Sequence, residues 1–75
     1  MPVISRFYGI IIRMYFQQAE HNPPHIHAIY DDDTAELIIR TGEILEGDCP
    51  PKALAMVREW ITENRDELLE MWETQ

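Results

Sequence analysis

The sequence predicts an α+β fold, a four-stranded antiparallel β-meander followed by one kinked or two short C-terminal helices packed on one sheet face. Two patterns carry this. Side chains alternate apolar and polar over Phe7–Phe16, His25–Tyr30, Thr34–Arg40 and Glu43–Glu46, the period of half-buried strands. From Pro50 onward the apolar residues recur at helical spacing, with Leu54, Val57, Trp60, Ile61, Leu68, Met71 and Trp72 on one stripe. At 75 residues the chain reads as a single domain with a small core, residues 1–47 supplying the sheet and 48–75 the helical part.

Strand one sets Tyr8, Ile10, Ile12, Met14 and Phe16 on one face and Phe7, Gly9, Ile11, Arg13 and Tyr15 on the other. Gln17–Pro24 is polar and ends in two prolines, which cannot continue a regular ladder, and reads as a loop. His25–Tyr30 is strand two, Asp31-Asp32-Asp33 a turn, and Thr34–Arg40 strand three. Thr41-Gly42 makes the next turn, with Gly42 at the position that needs a positive φ. Glu43–Glu46 closes the meander, since these connections are too short for parallel crossovers. Asp48 is placed to cap the helix, and the prolines after it suit a first turn. Asn64, followed by Arg65-Asp66-Glu67, interrupts the stripe and favours two helical segments meeting there.

Composition narrows the function classes. Apolar residues make up 45% of the chain, enough for a globular core and against disorder. No apolar run approaches the roughly 20 residues of a membrane span, and Met1–Arg6 lacks the apolar core of a signal peptide, so a cytoplasmic location is expected. Cys49 is the only cysteine; it cannot form an internal disulfide and is read as structural or neutral. A net charge of −8 gives no support to nucleic-acid binding, which needs clustered Lys and Arg, and suits a basic partner better. The helix acids Glu59, Glu63, Asp66, Glu67, Glu70 and Glu73 are most simply a solvated face, although their density would complement a basic protein.

All three histidines fall within His21-Asn22-Pro23-Pro24-His25-Ile26-His27. On a strand, His25 and His27 share one face with Cα atoms roughly 6.5 Å apart. A helical layer over Tyr8, Ile10, Ile12, Met14, Ile26, Ala28, Ala35, Leu37 and Ile39 leaves Arg13, Tyr15, His25, His27, Glu36, Ile38 and Arg40 on the uncovered face. Three chemistries fit. In the first, His25 and His27 chelate a divalent transition metal such as zinc, with His21 or an acid from Asp31–Glu36 as third ligand. In the second, His25 and His27 act as acid and base on a phosphodiester while Arg13 or Arg40 stabilises the anionic transition state. In the third, which is the simplest, His25 hydrogen-bonds the loop backbone and His27 pairs with Glu36 or Tyr15. Trp60 and Trp72 read as core. Ile11, Ile29 and Ile38 beside the histidines suit association, either as a homodimer or with a partner protein.

The stretches Pro2–Ile10, Ile12–Phe16, Pro23–His27, Thr41–Gly47 and Glu67–Trp72 together resemble the small bacterial proteins grouped as the domain of unknown function 4160 family. The resemblance spans nearly the whole chain and departs from the family at Gln17–Asn22, which is longer and less glycine-like. It picks out Arg6, Tyr8, Arg13, Tyr15, His25 and His27 as motif positions. It also implies a neighbouring small protein, of the domain of unknown function 2442 family, in an arrangement similar to a two-gene toxin–antitoxin module. The expected function is therefore partner binding through a face that includes Arg6, Tyr8, Tyr15, Glu36 and Arg40 around the histidines. A histidine-dependent, metal-assisted phosphodiesterase or ribonuclease is the alternative.

Overall fold

The computed structural model of the protein describes residues 3–14 and 23–74. Five strands, β1 (Val3–Phe7), β2 (Ile10–Arg13), β3 (His25–Tyr30), β4 (Asp33–Ile38) and β5 (Ile44–Gly47), form one sheet in sequence order, with every neighbouring pair antiparallel. A single helix, α1 (Pro51–Glu73), follows.

The additional strand comes from a turn inside the expected first one. Tyr8 and Gly9 take φ values of 50° and 80°, and Phe7 pairs with Ile10 across them. Positive φ at both central residues matches the right-handed twist of the flanking strands and closes a two-residue hairpin, with Gly9 supplying one of the two left-handed positions at no steric cost. The turn resets the alternation. Phe7 joins Ile10 on the covered face and packs against the core, whereas Tyr8, expected under the helix, stands 82% exposed at the hairpin tip. Tyr15, Phe16 and the loop to Asn22 lie outside the described residues.

The remaining covered face is as expected. Ile10, Ile12, Met14, Ile26, Ala28, Ala35, Leu37 and Ile39 are buried, together with Ala53, Leu54, Val57, Ile61 and Leu68 of α1. Each large aliphatic side chain among them contributes about 1.5–3 kcal/mol by leaving water. Met71, on the expected stripe, is exposed at the end of the helix, and Trp60 and Trp72 are half-buried against the core.

Two expectations about the helix are corrected. Asn64 neither breaks it nor caps a second one, because its Nδ2 donates to the Trp60 carbonyl at 2.9 Å, one turn back, and the polar group is satisfied within α1. Asp48 does not cap it either. The N-cap is Pro50, with no side-chain cap hydrogen bond, while Asp48 Oδ1 accepts from the Cys49 amide at 2.9 Å. The first turn holds no acid and the last no base, so the helix ends gain nothing from the macrodipole. What holds α1 is its docking: besides the buried stripe, Arg58 Nε donates to Gly42 O and Arg65 Nε to Ile39 O, each at 2.9 Å. Among the described residues no helix is long and apolar enough to cross a membrane.

The turns also differ in detail. Tyr30 pairs with Asp33, so Asp31-Asp32 forms the tip, with Asp31 at φ 53°, and Asp33 already belongs to β4. β4 ends at Ile38, which leaves Arg40 exposed in the following turn rather than on the strand face. Gly42 has the expected positive φ of 78°. Gly47, at φ 80°, lies so close to β4 that a Cβ would overlap the Thr34 carbonyl oxygen. Gly47→Ala is therefore expected to lower the unfolding free energy by about 2 kcal/mol or more, read as a drop in the urea midpoint; an unchanged midpoint would contradict this packing.

Candidate functional site

Strand pairing aligns a row of side chains across the face that α1 leaves uncovered. Arg13 pairs with His27, His27 with Glu36 and Glu36 with Glu46, and Val3 extends the row beyond Arg13. A second row runs Arg6, Ile11, Ile29 and Thr34, and His25 pairs with Ile38. Because β3 is the central strand, His27 is held from both sides, by Arg13 and Glu36, and His25 is held by Ile38 from β4.

His25, His27 and Glu36 converge. His25 Nε2 lies 3.4 Å from Glu36 Oε1, His27 Nε2 lies 3.6 Å from Glu36 Oε2, and the imidazole centroids are 5.4 Å apart. One ligand atom from each residue falls within 4.8 Å of the other two. His25 Nδ1 sits 2.8 Å from the Pro23 carbonyl oxygen. A carbonyl only accepts, so Nδ1 carries a ring proton, and in that neutral tautomer the other nitrogen, Nε2, presents a lone pair to the carboxylate. Two lone pairs face each other favourably only with a cation between them, either a proton or a metal ion. For His27 a proton is disfavoured: burial lowers its pKa below the ordinary histidine value, the adjacent His25 ring adds to the effect, and Glu46 in the same row opposes it.

Both imidazoles were expected on an open face, and for His25 the burial differs from that. It is only 4% exposed, with the Trp72 ring of α1 at 5.2 Å. The end of the helix reaches the strand where His25 begins, and its aromatic residue covers the imidazole. His27 and Glu36 retain 18% and 21% side-chain exposure, so solvent reaches the cluster from their side. Arg13 is half-buried beside His27, Arg6 is exposed in the next row, and Tyr8 and Arg40 lie in turns, away from the histidine row. Tyr15 and His21 lie outside the described residues. The hydrogen bond expected from His25 to the loop backbone is present, with the Pro23 carbonyl as its acceptor, whereas sequence reasoning did not anticipate the Trp72 cover or Glu46. Only the helical stripe, which carries Trp72 to the end of α1, held a signal for either of these. Cys49 is buried, its thiol directed at the Ala28 carbonyl at 3.7 Å, and burial with Asp33 and Asp48 nearby raises its pKa, as suits an unreactive core thiol.

The model of the family described as Domain of unknown function (DUF4160) matches residues 9–73. The chain belongs to this family. No curated protein and no solved structure matches it. Within this DUF4160 member the matched region runs from the β1–β2 turn to the end of α1 and contains the whole His25, His27 and Glu36 cluster.

A histidine with a lowered folded pKa makes the unfolded chain the better proton acceptor, so its contribution to stability is present above the unfolded pKa of about 6.5 and is lost as pH falls below that value. In chelator-treated protein the unfolding free energy of the wild type is therefore expected to decline, relative to His27→Gln, as pH is lowered through this range. Parallel stability–pH curves for the two proteins would contradict the burial of His27.

Proposed function

We propose that this protein is a small metal-dependent recognition domain. In this reading His25 Nε2, His27 Nε2 and the Glu36 carboxylate hold a divalent transition ion, with zinc the best fit, and a partner protein docks on the sheet face around it. The observation that carries the proposal is the convergence of two imidazole nitrogens and a carboxylate at 3.4 and 3.6 Å. Donors around a tetrahedral zinc at about 2.0–2.2 Å lie roughly 3.3–3.6 Å from one another, so the two nitrogen–oxygen distances already suit the ion, and drawing the three ligand atoms in from within 4.8 Å of one another would seat it. The Pro23 carbonyl on His25 Nδ1 is the outer-shell acceptor that such a ligand uses to fix its tautomer. A donor set of neutral imidazole and carboxylate suits zinc and its first-row neighbours.

Three protein ligands leave a coordination position for water or for a donor from a partner. Half-buried Ile11, Ile29 and Ile38 beside the cluster supply apolar contact area for docking. The small protein expected from a neighbouring gene, in an arrangement similar to a toxin–antitoxin module, is the partner this reading favours. Metal-assisted cleavage of a phosphodiester is the second reading. It is favoured by Arg13, the register partner of His27, because a guanidinium suits a phosphate oxygen.

Calorimetric titration of the chelator-treated protein with zinc is expected to give one equivalent bound. His25→Ala, His27→Ala and Glu36→Ala should each weaken binding by more than the about 10–100-fold that loss of an outer-shell partner costs. Zinc-dependent co-purification with the neighbouring gene product supports recognition, whereas zinc-dependent RNA cleavage lost on Arg13→Ala, with zinc binding intact, moves the assignment to the enzyme. A triple alanine variant that binds zinc as well as the wild type overturns both.

A further inference from the structure

On the helix side of the sheet, a groove of about 180 Å³ lies between the β1–β2 turn and the middle of α1, lined by Phe7, Tyr8, Met56, Glu59, Trp60 and Glu63. Phe7 stacks on Trp60 at 5.9 Å with 28° between the rings, and Tyr8 meets Phe7 edge-on at 6.5 Å and 85°. Three aromatic rings thus form a continuous wall, and the Glu59 and Glu63 side chains, on the same helix as Trp60, line the groove with it.

Phe7 and Trp60 also pack against the core, but the Tyr8 ring and the pairing of the two carboxylates gain nothing for the fold. Tyr8 occupies a left-handed backbone position, which costs a non-glycine residue about 1–2 kcal/mol, and at 82% exposed its ring buries too little to repay that. Glycine or asparagine would serve the turn better. Glu59 and Glu63 are one helical turn apart, both exposed, and like charges at that spacing repel. A partly exposed aromatic wall bordered by paired carboxylates is suited to a planar cation, which stacks on the rings while its N–H groups reach the acids. The net charge of −8 draws positively charged segments toward this surface.

We infer that this groove binds an arginine side chain presented by a basic segment of a partner protein. The guanidinium lies against Tyr8 and Trp60 and donates to Glu59 and Glu63, and the alkyl stem rests on Met56. This surface is separate from the histidine cluster and does not depend on the metal reading.

The test uses the full chain, labelled with nitrogen-15 and titrated with a short glycine–serine peptide carrying one arginine, alongside the same peptide carrying citrulline, which keeps the shape and removes the charge. The Trp60 indole N–H signal reports the groove, and that of Trp72 serves as the internal reference. The arginine peptide is expected to shift Trp60 in a saturable manner and leave Trp72 in place, with the citrulline peptide much weaker. Glu59→Gln combined with Glu63→Gln should weaken binding about fivefold, and Tyr8→Gly, which suits the turn and removes the ring, about threefold; the rest of each spectrum reports folding. Equal response to the two peptides, a stationary Trp60 signal, or undiminished binding in the folded double variant overturns the inference.

Discussion

Because Ile26 lies opposite Leu37 and Ala28 opposite Ala35 beneath α1, His27 must lie opposite Glu36 on the other side of the sheet. The cross-strand register is fixed by burial on one face and expressed as chemistry on the other. Slipping β4 by one residue would turn Glu36 inward among aliphatic side chains, at a cost of several kcal/mol for the buried charge. It would also return Leu37 to water, forfeiting about 1.5–3 kcal/mol more. The hydrophobic core thus acts as the positioning device for the histidine cluster, and β2 and β5 extend the same logic to Arg13 and Glu46.

Charge is partitioned between the two sides of the molecule. The uncovered sheet face carries Arg6 and Arg13 with the histidines, whereas α1 presents most of its acids to solvent. On the sheet face, Glu36 and Glu46 make the surroundings of the imidazoles favourable to a cation. On the helix face, the acids border the aromatic groove. The two proposed contacts rest on different chemistry, coordination on one surface and cation stacking on the other, so the small domain has room for both without either compromising the core.

Strand β3 was legible to the residue, because a central strand with one buried face shows its alternation without interruption. So was the start of the helix to within one position, where the apolar period changes after Pro50. The Tyr8-Gly9 turn was not. Apolar residues flank it on both sides, its first position carries an aromatic residue instead of asparagine or aspartate, and only Gly9 marks it. Asn64 misled for a related reason: a residue that favours caps can also satisfy its amide on the preceding turn, and that choice depends on the packing around it. The grouping of His25 with His27 followed from parity alone, and Glu36 from its place on the next strand. The burial of His25 did not, since it depends on how far α1 travels before Trp72 meets the imidazole.

The uncapped helix has a consequence for how the domain comes into being. The sheet precedes α1 in the chain, so on the ribosome the strands emerge first, with Ile12, Ile26, Leu37 and Ile39 unshielded. The helix has no side-chain cap at its start and no charge complement at either end to help it form early by itself. Docking of α1, through to Leu68, is what covers those side chains, so the sheet keeps an apolar face open until the helix is in place.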